Sequence, residues 1–94
     1  MPGYTVRIEL RDAEPSDYDD LYEKMILKKF SKFITSDGGS LYSLPNAEYN
    51  YSSNTKTTDE VRDLAFSVAK EVNSSPAVLV TKSVERSWQG LDRV

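Results

Sequence analysis

Alternating charged side chains near the start of the chain are the best candidates for chemistry. Arg7, Glu9 and Arg11 are each separated by one residue, so in an extended strand they share one face at steps of about 7 Å. A carboxylate can act as a general base, and flanking guanidinium groups can bind a phosphate and stabilise its charge. Asp12 follows directly and is a second candidate base. The spacing predicts a phosphate-directed acid–base site, with ordinary cross-strand ion pairing as the alternative.

The composition restricts catalysis to a few side-chain types. The 94 residues include no cysteine and no histidine, which excludes thiolate chemistry and histidine-dependent proton transfer. Carboxylates, Lys and Arg side chains, hydroxyls or a hard metal ion remain. Asp12, alone or with its twofold mate in a second copy, could hold Mg²⁺, and a turn or cap role is the alternative. We expect no required cofactor and no dedicated metal site.

The charge and hydropathy of the chain set its expected surroundings. Twelve basic and fifteen acidic residues give a net charge of −3, which disfavours a general nucleic-acid binder but leaves room for a local basic patch. The longest apolar run, Ala77 to Val80, is far shorter than the roughly 20 residues that cross a bilayer. A charged start followed by the apolar core of a signal peptide is also absent. We therefore expect a cytoplasmic protein with no membrane partner.

Two stretches have the 3.6-residue apolar period of a helix that packs one face on a core. The first runs to about Lys29. The second begins at a capping box of Thr57 and Glu60 and runs to about Val72. The apolar stripes are Tyr18, Leu21, Tyr22 and Met25 in the first helix, and Val61, Leu64, Ala65, Val68 and Val72 in the second.

The remaining apolar patterns predict strands. Tyr4–Leu10 alternates apolar and polar residues, which predicts a strand with one buried face. Phe33–Thr35 and Leu41–Leu44 flank an Asp-Gly-Gly turn and predict a hairpin. Pro45 interrupts the second of these strands, and alternation resumes beyond it. Ala77–Thr81 predicts a last strand that is buried on both faces.

The predicted order is strand, helix, strand, strand, helix, strand. Two right-handed crossovers joined by a hairpin predict a ferredoxin-like βαββαβ sandwich, an α+β fold with two helices on one face of a four-stranded antiparallel sheet. We expect a single domain over residues 1–94. Trp88 and Leu91, in the tail 84–94, have no place in a two-layer core. The tail either exchanges in a homodimer, with these two residues in the interface, or packs back on its own sheet.

Five blocks of the sequence together carry a likeness to a known family: 4–13 (YTVRIELRDA), 34–38 (ITSDG), 44–49 (LPNAEY), 78–81 (VLVT) and 86–91 (RSWQGL). In this order, which spans nearly the whole chain, they resemble the GhoS-like family, the bacterial endoribonuclease antitoxins of type V toxin–antitoxin systems. The resemblance implies a ferredoxin-like fold and cleavage of the single-stranded mRNA of a partner toxin. It also implies an acidic position at Glu9 and a basic helix position near Lys24, a candidate RNA contact.

Aromatic and basic side chains outside the first strand are the candidate RNA contacts. Tyrosines can stack unpaired bases and lysines can bind the backbone, although strand tyrosines are also common in cores and interfaces. Tyr49 and Tyr51 share a strand face and could form a stacking platform. The net acidity and the missing histidines favour an alternative, a non-catalytic ferredoxin-like dimeric binding or regulatory module. The candidate contacts are Tyr42, Tyr49, Tyr51, Lys28, Lys29 and Lys32.

Overall fold

Two helices and five strands lie along residues 2–94, which are the residues that the computed structural model describes. The fold is α+β, and all of the strand pairs are antiparallel. Neither helix in residues 2–94 has the length and apolar character needed to cross a membrane. The elements are β1 (Gly3–Leu10), α1 (Pro15–Leu27), β2 (Phe33–Thr35), β3 (Leu41–Ser43), β4 (Glu48–Ser52), α2 (Thr58–Val72) and β5 (Pro76–Ser83).

The strands form two sheets where the sequence predicts one sheet of four strands. β1 is the centre of a three-stranded sheet with the order β4-β1-β5, and β2 and β3 form a separate hairpin. The predicted hairpin is therefore not part of the main sheet, and β4 pairs with β1 in its place. Ser31 connects the two sheets, because it exchanges backbone hydrogen bonds of 2.8 and 2.7 Å with Asn50 of β4.

A turn at Pro45 causes this division. The predicted strand that starts at Leu41 ends as β3, and the Glu48 N–H then donates to the Pro45 carbonyl at 3.2 Å. Ala47 within this turn has a φ of +65°, a left-handed conformation that a residue with a Cβ adopts only when its surroundings impose it. The chain is redirected here, so that β4 pairs with β1 instead of continuing β3.

The buried face of β1 is the floor of the core. Its apolar residues are all buried, while Arg7 and Glu9 between them are exposed. This confirms the predicted alternation. Both helices pack on that face, and α1 contributes Leu21 and Met25 to the core. The buried core consists of Tyr4, Val6, Ile8, Leu10, Leu21, Met25, Phe30, Tyr49, Tyr51, Val61, Ala65, Val68 and Ala69.

Side-chain caps fix the start of each helix. The predicted capping box of α2 is present, with the Glu60 N–H donating to Thr57 Oγ1 at 3.1 Å and the Thr57 N–H donating to Glu60 Oε1 at 2.9 Å. At α1 the Glu14 N–H donates to Asp17 Oδ2 at 3.0 Å. These bonds satisfy backbone donors that have no partner within the helix.

The last strand departs from its predicted burial. β5 extends over Pro76–Ser83, but Leu79 at its middle is 64% exposed. The helices cover only the face to which Val78 and Val80 belong, and these two residues are half-buried beside the core. The expectation of burial on both faces is wrong, because β5 is an edge strand whose second face is the open face of the sheet.

We predict that Lys29→Gly stabilises the protein by about 0.5–1 kcal/mol. Lys29 follows the end of α1 with a φ of +74°, and the Phe30 N–H closes the helix onto the Met25 carbonyl at 3.1 Å. Glycine is the residue favoured at this position of a helix end. Lys28→Gly is the matched control, since Lys28 has a φ of −98° and gains nothing from glycine. Urea unfolding of both variants tests this, and equal effects would contradict it.

Candidate functional site

Arg7 and Glu9 lie on the open face of the central strand with no partner in the described chain. Arg7 is opposite Glu48 of β4 and Leu79 of β5 in the strand register. Within residues 2–94, however, neither Arg7 nor Glu9 makes an ion pair or a side-chain hydrogen bond. The cross-strand ion pairing that the sequence left as an alternative is therefore not formed, and both charged groups face outward on a rigid strand.

Arg11 differs from Arg7 and Glu9, because its side chain is hydrogen-bonded within the chain. Its Nη1 atom donates to the Ser75 carbonyl at 3.1 Å, and Asn73 Nδ2 donates to the Arg11 carbonyl at 2.8 Å. Arg11 therefore tethers the segment after α2, although its side chain is exposed. The predicted row of three charges is reduced to Arg7 and Glu9 as free groups.

Asp12 lies in the turn that follows β1. It is exposed and has a φ of +53°, a conformation that Asp tolerates better than most residues. Within residues 2–94 no cluster of three acidic side chains is arranged to hold a metal ion. Asp12 therefore occupies the turn position, and its Mg²⁺-binding role stays a prediction.

Tyr49 and Tyr51 do not form a surface for base stacking. They are 2% and 9% exposed, because the register of β4 places them opposite Val6 and Tyr4 on the helix-facing side. The Tyr51 ring packs against Phe30 with the ring centroids 4.6 Å apart. This corrects the predicted stacking platform: both tyrosines belong to the core.

The candidate lysines on the first helix have two different environments. Lys24 makes an ion pair of 3.5 Å with Glu71, which links α1 to α2. Lys28 and Lys29 are exposed after the last turn of α1. The end of α1 therefore presents two free cations, whereas Lys24 has a role in helix packing.

A cavity of about 640 Å³ lies between α1 and the turn before β4. Lys32 lines this cavity. Its Nζ donates to the carbonyls of Pro45 at 2.8 Å and Glu48 at 3.1 Å. The same ammonium lies 5.1 Å from the centre of the Tyr49 ring, within the range of a cation–π interaction. Burial lowers the pKa of Lys32, and the Glu48 carboxylate partly opposes this shift.

This cavity was not predicted from the sequence. The sequence predicts Lys32 only as one of several lysines that could bind an RNA backbone, and it lies outside both helical patterns. The left-handed Ala47 in the wall has no sequence signal, since alanine is not a typical turn residue. The remaining walls are Ala13, Pro15, Tyr18, Asp19, Tyr22 and Asn46.

We predict that Tyr49 ionises only near pH 12. Burial, assisted by the neighbouring Tyr22, raises the pKa of its phenol from 10.0 to about 12. Because the folded pKa lies above the unfolded one, this contribution to stability is complete below pH 10 and is lost as the pH rises towards 12. Absorbance titration at the phenolate band, with Tyr49→Phe as the control, checks this. If Tyr49→Phe shows the same absorbance change between pH 11 and 12 as the native chain, the assignment is contradicted.

The tail packs on its own chain. Arg86 reaches across the end of the open face, where its Nη2 donates to Asn50 Oδ1 at 2.8 Å and its Nε donates to Ser83 Oγ at 3.0 Å. Trp88 packs edge-on against Tyr42 with ring centroids 5.6 Å apart, and Leu91 is half-buried. Within residues 2–94 the tail packs back on its own chain, and its exchange in a homodimer stays a prediction.

Backbone pairing with β3 holds the last residues of the tail. The Ser43 N–H donates to the Asp92 carbonyl, and the Val94 N–H donates to the Leu41 carbonyl, both at 2.9 Å. Trp88 and Leu91 are both half-buried within their own chain, and a dimer interface at these two residues stays a prediction. The tail also leaves the Arg7 and Glu9 part of the open face uncovered.

Comparisons with protein-family models, with curated proteins and with solved structures give no match.

Proposed function

We propose that the chain is an antitoxin-type endoribonuclease that cleaves single-stranded mRNA, the message of a partner toxin. One observation carries the proposal: Arg7 and Glu9 stand exposed and unpaired within residues 2–94 on the same face of the central strand. An acid–base pair of this kind on a rigid strand suits phosphodiester chemistry. The resemblance to the GhoS-like family supports the RNA substrate.

We also propose that the fold is a variant of the ferredoxin-like sandwich. The order β4-β1-β5 matches three adjacent strands of that fold, namely its third, first and last strands. The paired backbone bonds of Ser31 and Asn50 bring the segment before β2 beside the outer edge of β4, where the second strand of the ferredoxin-like fold belongs. In this interpretation the turn at Pro45 twists the β2–β3 hairpin away from the main sheet.

The proposed reaction uses the two free side chains in separate roles. Glu9 takes the proton of the ribose 2′-hydroxyl, and the 2′-oxygen attacks the adjacent phosphorus. The bond from phosphorus to the 5′-oxygen breaks, and the leaving oxygen takes a proton from solvent. Arg7 binds the phosphate and stabilises the charge that develops on it. The products are a 2′,3′-cyclic phosphate and a 5′-hydroxyl.

The test is purified protein incubated with a panel of single-stranded RNAs, with and without EDTA. We expect cleavage of a subset of the RNAs, 2′,3′-cyclic phosphate ends, and rates that EDTA does not change. Loss of cleavage in EDTA would replace Glu9 as the base with a metal-bound water near Asp12. If a folded protein cleaves no RNA in the panel, the endoribonuclease proposal fails.

A non-catalytic binding module is the second candidate function. Arg11 is tethered to Ser75, so that within residues 2–94 Arg7 is the one guanidinium of the predicted row without a hydrogen-bond or ion-pair partner. The cavity beside Lys32 also lies on the helix side of the sheet, the opposite face from Arg7 and Glu9. RNA binding without cleavage in the same panel would favour this candidate.

A further inference from the structure

The outer edge of β5 is a free strand edge. β5 is a terminal strand of the three-stranded sheet, and within residues 2–94 no backbone group pairs with its outer side. The opposite edge of the sheet differs, since Ser31 is hydrogen-bonded to Asn50 of β4. A long free edge is a template for pairing with another strand unless charges, proline or a bulge protect it.

The register identifies which groups of β5 point outward. The Ile8 N–H donates towards the β4 side, to the Ala47 carbonyl at 3.0 Å. Because the direction alternates along a strand, Arg7 bonds towards β5, where Leu79 is its partner. The N–H and C=O groups of the neighbouring residues Val78 and Val80 therefore point away from β1, towards solvent.

The middle of β5 carries none of the charges or prolines that usually protect an edge. Its eight residues (PAVLVTKS) contain proline only at the first position, and Lys82 near the end is the one charged residue. Leu79 at the middle is 64% exposed on the open face. The strand thus combines free backbone groups with an uncovered apolar side chain.

We propose that β5 pairs antiparallel with β5 of a second copy, with the twofold axis at Leu79. Directly opposite residues of an antiparallel pair place their side chains on the same sheet face, so the axis must pass through a residue. An axis at Leu79 places the exposed Leu79 of each copy against that of the other, and Val78 then exchanges backbone hydrogen bonds with Val80. A second copy is the occupant because this strand is complementary to itself.

The register also explains why the twofold axis fits better at Leu79 than at Val80. An axis at Val80 would place Leu79 opposite Thr81, so that the exposed Leu79 of each copy would have no apolar side chain opposite it. With the axis at Leu79, Thr81 faces Ala77 and Lys82 faces Pro76, so that no like charges on the two strands are opposed. The two sheets form one continuous six-stranded sheet.

This pairing extends the proposed RNA surface, a consequence that rests on the proposed function. Arg7 is opposite Leu79, so the two Arg7 residues lie on one face about 14 Å apart, three strand spacings. A single strand of RNA could then contact both copies. The pairing itself depends only on the free edge, and its test does not involve RNA.

Single cysteines test the pairing sharply, because the chain has no cysteine of its own. Under mild oxidation Leu79→Cys should give a covalent dimer of twice 10.6 kDa, since a non-hydrogen-bonded pair brings the two side chains close. Ala77→Cys and Thr81→Cys are matched controls. Each alone should stay monomeric on a non-reducing gel, and a mixture of the two should cross-link.

Sedimentation of the native chain and of Leu79→Asp completes the test. We expect a native dimer at micromolar concentration, and an increase of about 100-fold in the dissociation constant for Leu79→Asp, from lost burial and opposed charges. A circular dichroism spectrum unchanged by the substitution shows that the monomer remains folded. A native chain that sediments only at 10.6 kDa, or a dimer that Leu79→Cys does not cross-link, overturns the proposal.

Discussion

Glu9→Gln is expected to lower the rate of RNA cleavage by about 10²–10⁴-fold, the usual contribution of a general base. Glutamine keeps the size and much of the hydrogen bonding of Glu9 but cannot accept the 2′-hydroxyl proton. Glu9 is exposed on β1 and has no ion-pair partner in residues 2–94, so its removal leaves the fold intact. Initial rates on the best RNA of the panel measure the effect.

Two further variants separate the base from charge effects in general. Glu23→Gln removes an exposed carboxylate from α1 and should leave the rate unchanged. Arg7→Ala should weaken RNA binding and reduce the slope of log affinity against log salt by about 1, the effect of one lost phosphate contact. If Glu9→Gln cleaves as fast as the native chain, Glu9 is not the base.

Phe30→Ala is expected to destabilise the protein by about 3–5 kcal/mol. Phe30 is 2% exposed and packs its ring on Tyr51, so that truncation leaves a cavity beneath the start of β2. The loss is a large part of the roughly 5–15 kcal/mol that stabilises a typical domain. Urea unfolding followed by circular dichroism gives the difference in free energy of unfolding.

Phe66→Ala is the matched control for this prediction. Phe66 has the same side chain but is 41% exposed on α2, and it is absent from the buried core. We expect a loss of less than about 1 kcal/mol for this surface position. Equal losses for the two variants would show that Phe30 is not the packing centre that the structure indicates.

Elements with a strong period were predictable from the sequence. The alternation of β1 and the capping box of α2 depend on neighbouring residues only, and both occur as predicted. Phe30 was missed because it lies between a helix and a strand, in neither period. Its burial comes from the left-handed Lys29, which turns the chain back onto the core.

Features that depend on distant parts of the chain could not be predicted. Tyr49 and Tyr51 alternate as a stacking platform would, but alternation does not say which face meets the helices. That choice follows from the pairing of β4 with β1. The burial of β5 was overestimated for a similar reason, since an apolar run does not reveal whether a strand is central or at an edge.

The candidate site was predictable in part. Arg7 and Glu9 occupy the open face as expected from the strand pattern. The hydrogen bond from Arg11 to the Ser75 carbonyl depends on where α2 ends. The residues around Arg11 do not predict that position. The cavity beside Lys32 similarly depends on the unexpected turn at Ala47.

The most direct test of the account is an NMR titration of the ¹⁵N-labelled chain with a single-stranded RNA from the panel. If the open face of the sheet is the functional surface, the largest amide shifts should occur at Arg7, Glu9 and Leu79, and Arg7→Ala should reduce them. Residues around the Lys32 cavity should shift little. Shifts centred on Lys32 and Tyr22, or no shifts at millimolar RNA, would contradict the assignment of function to the open face.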